Sequence, residues 1–203
     1  YHFLLNLTPI TEPLGILLAA SSFAILAGEQ LTRGRVLAAA LLIGLAPLGR
    51  TALLPLCIAF VIWLCIRRPL PWRQSILPVL AAWLPFAAWS AYRNLIGAQG
   101  YAASLNRRQY AEAGMEWPSA LWHQPMRIFD ALVEGWNMPD SIMPTLVSLL
   151  LVALAVIGCL VRLRRNTLDS WFLLGYVALI LIWPYPNEYT RFLLAVYPCL
   201  LVC

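Results

Sequence analysis

Long apolar runs separated by short clusters of charged residues dominate this chain. A bilayer core about 30 Å thick needs roughly 20 apolar residues for each helical crossing. Runs near that length predict helices over residues 13–31, 36–48, 51–66, 75–92, 142–161, 168–183 and 192–203. The predicted fold class is all-α: a polytopic transmembrane helix bundle with a long non-cytoplasmic loop that carries short interfacial helices.

Composition excludes an ordinary water-soluble domain. Hydrophobic residues make up 62% of the chain and charged residues 11%, and the mean hydropathy is +0.75. Such values lie far from those of soluble globular domains. The chain opens on Tyr1 without a methionine and stops at Cys203 inside an apolar run. We therefore expect residues 1–203 to be a single incomplete membrane domain that lacks N- and C-terminal parts.

The run from Val36 to Ile66 is too long for one membrane crossing and shorter than two crossings normally need. Its middle reads Pro47-Leu48-Gly49-Arg50-Thr51, which predicts a turn between two short helices. If the basic clusters at both ends are cytoplasmic, this turn lies below the outer surface, in a cavity or against other helices. Arg50 is then expected at membrane depth.

All fourteen basic residues are arginines, and the net charge is +5. Eight of them fall in three short loops that come out on one side: Arg33, Arg35, Arg67, Arg68, Arg73, Arg162, Arg164 and Arg165. Cytoplasmic loops of membrane proteins carry such an excess. We expect a multi-pass protein of a bacterial inner or plasma membrane, whose active side faces the periplasm or exterior. Phosphate recognition or biased genome composition would each explain the absence of lysine.

Residues 93–140 form the predicted long outer loop. Pro125 can open a helix, after which apolar side chains share one face: Met126, Phe129, Leu132, Val133 and Trp136. This pattern is typical of an amphipathic helix that lies in the membrane interface. The loop would then be a helical platform rather than a linker.

Arg50, Arg93 and Arg191 depart from the charge rule, because each lies on the predicted non-cytoplasmic side. Charges at the membrane edge are costly and usually face a partner or a wet cavity. Three arginines that converge from helix ends would suit a phosphate or pyrophosphate group. The alternative is that their side chains extend to lipid headgroups. The histidines and cysteines show no metal-ligand spacing, so no metal site is predicted.

Four segments carry a family resemblance: Thr11-Glu12-Pro13-Leu14; Gly44-Leu45-Ala46-Pro47-Leu48-Gly49-Arg50-Thr51-Ala52-Leu53-Leu54-Pro55; Tyr92-Arg93-Asn94 with Gly97; and Tyr189-Thr190-Arg191-Phe192-Leu193-Leu194 with Tyr197-Pro198. In this order they resemble the polyprenyl-phosphate-dependent membrane glycosyltransferases of the GT-C type, including protein mannosyltransferase-like and lipid A aminoarabinose transferase-like members. Two departures stand out. Arg50-Thr51-Ala52 replaces the family's Thr-Arg/Lys-Pro order, and the family's acidic first outer loop would precede Tyr1.

The resemblance implies transfer of a sugar from a polyprenyl-phosphate donor to a glycan, lipid or protein acceptor at the outer face, with inversion. It implies lipid-phosphate binding by Arg50, Arg93 and Arg191, supported by Glu12, Asn94 and Tyr189. The catalytic base is expected upstream of Tyr1, so this fragment alone should be inactive. No nucleotide cofactor or nucleic-acid partner is implied, and whether a divalent cation assists stays open.

Two other classes of protein share parts of this pattern. A transporter or lipid flippase also uses broken helices such as the one at Gly49 to build a substrate site near the membrane midplane. An envelope-polymer ligase or polymerase also combines many helices with one long outer loop and arginines. No internal repeat favours the transporter.

Overall fold

The structure, a computed structural model, describes residues 8–28, 30–96, 125–126, 128–130, 133 and 142–181, with side chains from residue 13 onward. Within these ranges the secondary structure is helical, and no strand occurs. The chain divides into two compact units, Tyr1–Gly100 with Asn166–Tyr176, and Tyr101–Arg165 with Val177–Cys203. We call them unit 1 and unit 2. The all-α prediction is confirmed for the described residues.

Helix α1 spans Thr8–Leu26, so it begins and ends five residues before the predicted range of 13–31. Its start fits the Thr8-Pro9 pair, because proline favours the first turn of a helix. Pro13 therefore lies inside α1 rather than at its start. Proline is tolerated within apolar helices when neighbouring groups take over the freed carbonyl.

The end of α1 is fixed by Arg35, which lies in the first turn of helix α2, Arg33–Gly49. The Arg35 guanidinium donates to the carbonyl oxygens of Ile25, at 2.8 Å, and Gln30, at 3.0 Å. A cation at the C-terminus of a helix pairs with carbonyls that lack a helical partner and with the negative end of the helix dipole. A side chain at Gly28 would collide with this guanidinium.

Helix α2 stops at Gly49, and Arg50 adopts an extended conformation with φ −152° and ψ 110°. A short 3-10 turn, Thr51–Leu53, leads into helix α3, Leu54–Arg67. Pro55 occupies the first turn of α3, where its missing N–H costs nothing. The break thus lies at the Gly49-Arg50 pair, as the sequence predicts.

Three helices of unit 1 meet at Gly44, which has no side chain to keep them apart. A methyl group at Gly44 would lie 2.5 Å from the carbonyl oxygen of Ala81 and 3.0 Å from that of Ala82. Both alanines belong to helix α4, Trp72–Leu95. The Cys57 thiol of α3 lies 3.3 Å from the carbonyl oxygen of Ala82 and 3.7 Å from that of Ile43. Small residues at helix interfaces permit such close backbone approach.

These contacts give the direction of each helix in unit 1. Ile43, Cys57 and Ala82 lie at one level, and short connections join α2 to α3 and α3 to α4, so α3 runs antiparallel to both. Helix α1 is antiparallel to α2, because Ile25 contacts Arg35 while Gly15 lies against Ala46. Helix α6, Leu168–Leu181, contributes its residues up to Tyr176 to this unit. There Phe172 packs on Phe23, with ring centroids 5.8 Å apart.

Unit 2 contains helix α5, Met143–Arg164, and the last residues of α6. Residues 125–126, 128–130 and 133 are also helical, at the position of the predicted interfacial helix. The predicted helix at 192–203 lies outside the described residues. By length and apolar composition, α4 and α5 could each cross a membrane, whereas residues 13–26, 51–67 and α6 form shorter apolar helices.

We predict that Gly44→Ala lowers the free energy of unfolding by about 1–3 kcal/mol, because the added methyl overpacks the junction of α2 with α4. Gly34→Ala is the matched control, since nothing lies within 4 Å of a methyl group there. It should be neutral or stabilise by no more than about 1 kcal/mol. Thermal unfolding of both variants in detergent micelles measures the difference. Equal melting temperatures would show that the approach at Gly44 is not tight.

Candidate functional site

The two ends of unit 1 differ in their charges. One end, here called the Arg35 end, holds the α1–α2 and α3–α4 connections and carries five arginines: Arg33, Arg35, Arg67, Arg68 and Arg73. The opposite end, here called the Arg50 end, holds the α2–α3 break and the C-terminus of α4. The predicted site residues within unit 1 are Glu12, Arg50, Arg93 and Asn94, and the helix directions place all four toward the Arg50 end.

Arg50 is buried, with 8% of its surface exposed. Its backbone N–H donates to the Ala46 carbonyl at 3.2 Å, and its own carbonyl accepts from Leu53 at 2.9 Å. The arginine backbone therefore joins the last turn of α2 to the 3-10 turn. A buried guanidinium needs compensating contacts, because loss of hydration is costly, and Arg50 takes part in interactions beyond these two backbone hydrogen bonds. The break consequently holds a cation inside unit 1.

Gly15 brings α1 against this break. A methyl group there would lie 3.1 Å from the Ala46 carbonyl oxygen, 3.1 Å from Leu53 Cδ1 and 3.5 Å from the Arg50 nitrogen. Sequence reasoning did not single out Gly15, although it follows Glu12 by one helical turn in an apolar run. The backbone of Glu12 lies in α1, and its side chain is outside the described residues. Its backbone lies one helical turn beyond the Gly15 contact.

Arg93 lies in the last turn of α4 and is half-buried, while its neighbour Asn94 is exposed. Ile43 of α2 and Ala82 of α4 lie at the same level of the bundle. Arg50 follows Ile43 by seven residues, and Arg93 follows Ala82 by eleven residues in the same direction. At 1.5 Å per residue, Arg93 is about 6 Å farther along the bundle. Arg93 makes contacts of its own. The two arginines thus occupy successive levels of the same end.

Arg191 and Tyr189 lie outside the described residues, so the predicted three-arginine cluster is described here only in its Arg50 and Arg93 members. In the described part of the chain, no group of three histidine, cysteine or acidic residues is placed to hold a metal ion. The charged side chains that the structure describes at the Arg50 end of unit 1, those of Arg50 and Arg93, are cationic. Arginine presents planar donors that match phosphate and carboxylate oxygens.

We predict that Gly15→Val displaces α1 from the break and lowers the free energy of unfolding by about 1–3 kcal/mol, because the space beside Leu53 is filled. Ala20→Val, at an exposed position of the same helix, keeps the β-branched change without the contact. Its melting temperature should stay close to that of the unsubstituted protein. An equal loss in both variants would assign the effect to helix propensity instead.

No protein-family model, curated protein or solved structure matches this chain. The burial, charges and helix registers of unit 1 are therefore the observations that bear on its function.

Proposed function

We propose that this chain belongs to a polytopic membrane glycosyltransferase, which moves a sugar from a polyprenyl-phosphate donor to an acceptor at the outer face of the membrane. The observation that carries the proposal is the buried Arg50 at a helix break, with Arg93 one level farther out. A departing lipid phosphate needs positioned cations. The sequence resemblance to GT-C enzymes suggests the reaction, and the two arginines at the Arg50 end of unit 1 support a phosphate site there.

Exposed apolar surface supports the membrane placement. Only 11% of the most apolar stretch of α4 and 17% of that of α5 are buried. A core helix of a soluble protein would be mostly buried. Large exposed side chains continue along both helices, including Leu80, Leu84, Leu150 and Leu154. Contiguous apolar surface of this extent is unfavourable in water and is stable against lipid tails.

Helix lengths support a recessed position for Arg50. The 17 residues of α2 and the 14 of α3 span about 25 and 21 Å, less than a hydrocarbon core of about 30 Å. Helix α4, with 24 residues, spans about 36 Å. With the Arg35 end at the cytoplasmic surface, α4 reaches the opposite surface while the α2–α3 break stays below it. Arg50 then lines a recess, and Arg93 lies near its rim.

Within this proposal Arg50 and Arg93 bind the lipid phosphate, and Arg191 completes the set. Asn94 and Tyr189 add hydrogen bonds, and Glu12 orients an arginine or contacts the sugar. A carboxylate from a preceding outer loop would remove the acceptor proton while the polyprenyl phosphate leaves with the bonding electrons. The residues named here bind and stabilise the leaving group. The proposal requires no nucleotide site.

A transporter or lipid flippase is the main rival, because the broken α2–α3 hairpin also fits a midplane substrate site. A flippase and the glycosyltransferase would both use Arg50 to bind a lipid phosphate. They differ in product, since only the enzyme consumes the lipid-linked sugar. A flippase would move the intact donor between leaflets.

We predict opposite accessibility for the two ends of unit 1. In a cysteine-free background, Ile96→Cys marks the Arg50 end and Gln74→Cys marks the Arg35 end; both positions are exposed. A membrane-impermeant maleimide should label Ile96→Cys in intact cells and Gln74→Cys only after permeabilisation. Labelling of both from one side would contradict the membrane placement.

We predict that Arg50→Met lowers kcat/KM for the lipid-linked sugar by about 10²-fold in membranes that contain the whole gene product, because a phosphate contact is lost in the transition state. Thermal stability should fall as well, since the groups that contact the buried guanidinium lose their partner, so kcat/KM is measured on the protein that remains folded. Arg165→Gln, at an exposed position, is the control and should retain turnover. Unchanged consumption of radiolabelled donor by Arg50→Met would refute the assignment. Movement of intact donor without sugar transfer would favour the flippase.

A further inference from the structure

A separate groove opens at the Arg35 end, between α3 and α4. It encloses about 920 Å³ and is lined by side chains from both helices and their connection, among them Val61, Cys65, Arg68, Trp72, Ile76 and Leu80. This volume is within the range of roughly 300–1,000 Å³ typical of ligand pockets. The groove lies at the opposite end of unit 1 from Arg50. The proposed sugar transfer therefore does not use it.

The walls of the groove are apolar and its mouth is basic. Val61 and Leu80 lie about two helical turns below Arg68 and Trp72, which gives an apolar depth of roughly 10–12 Å at 1.5 Å per residue. That depth is most of one leaflet, since a leaflet contributes about half of the 30 Å hydrocarbon core. An extended acyl chain that lies along α4 fits this geometry. A small water-soluble anion would leave most of the groove empty.

Arg68 is held at the mouth by its backbone. It has φ 48° and ψ 51°, a left-handed conformation that ends α3, and its N–H donates to the Leu64 carbonyl at 3.1 Å. Its Nε donates to the Cys65 carbonyl at 3.4 Å. Among the described residues, the terminal guanidinium nitrogens of Arg68 have no hydrogen-bond partner. Their paired N–H groups are suited to bind phosphate oxygens.

The surroundings of Arg68 add charge and an interfacial anchor. Arg67 and Arg73 flank the same connection, and residues 66–75 contain no acidic residue. Trp72 has 78% of its surface exposed, as expected of a tryptophan at the headgroup level. Basic residues on the cytoplasmic side attract anionic lipids. The basic mouth and the apolar walls of the groove thus both fit an anionic lipid.

We propose that the groove binds an anionic glycerophospholipid of the cytoplasmic leaflet, with one acyl chain between α3 and α4 and its phosphate at Arg68. The inference rests on the membrane placement proposed above and is independent of sugar transfer. The bound lipid would hold the α3–α4 connection at the membrane surface. It would thereby support the hairpin that presents Arg50 at the other end.

Binding of phosphatidylglycerol, compared with phosphatidylcholine, tests the proposal by native mass spectrometry and thermal shift on the protein in detergent micelles. Phosphatidylglycerol should bind and raise the melting temperature, and phosphatidylcholine should do so less. Arg68→Gln should weaken phosphatidylglycerol about fivefold, the effect of one basic contact to an anionic lipid. Arg68→Lys should retain most of the binding, which separates loss of charge from loss of folding. Arg164→Gln, which does not line the groove, is the charge control.

Filling the groove is the second arm. Val79→Trp, at a lining position, should reduce binding of phosphatidylglycerol, whereas Leu17→Trp, at an exposed position of α1, should not. Undiminished binding in both Arg68→Gln and Val79→Trp would overturn the proposal. So would equal protection by inorganic phosphate alone, or a change in oligomeric state on Val79→Trp with unchanged lipid binding. Cysteine accessibility as predicted, together with any of these results, would reject the lipid site and leave the membrane placement intact.

Discussion

The backbone approach at Gly44 is the constraint on which the rest of unit 1 depends. Because α2 and α4 touch there without an intervening side chain, and the Cys57 thiol lies beside carbonyl groups of both helices, three helices share one level. Tight packing of this kind fixes the position of a helix along its axis as well as its distance. The position of each helix along its axis determines which charged residues lie at the same end of unit 1. Five arginines lie at one end, and Arg50 and Arg93 lie at the other.

The helical architecture could be predicted from the sequence, because apolar runs and charge clusters report directly on solvent preference. The break at Gly49-Arg50 was also predictable, since the run was the wrong length for one or two crossings. The start of α1 was predicted wrongly at Pro13. The rule that proline opens helices applied equally to Pro9, and the sequence alone does not choose between the two prolines.

The candidate site was predictable in part. Arg50 and Arg93 share one end because of the helix directions. The clustering of the other unit 1 arginines in the α1–α2 and α3–α4 connections predicts those directions from the sequence. A recessed Arg50 was expected from the length of the run, but the contact of Gly15 with the break was not predictable. It depends on which faces of α1 and α2 meet, and both helices are apolar on most sides. A sequence that is apolar all round carries little information about its packing partners. For the same reason the groove beside Arg68 could not be predicted from the sequence, in which only its basic residues stand out.

Arg35 gives a physical reason for one part of the all-arginine composition. Its guanidinium reaches the carbonyl groups of Ile25 and Gln30 at once, through two nitrogens held apart in a rigid plane. Lysine would supply the same charge, yet its single ammonium group is a compact point charge without that fork. At this position the identity of the basic residue is therefore constrained by geometry, whatever the codon usage of the genome. One arginine in the first turn of α2 thereby also caps the C-terminal end of α1.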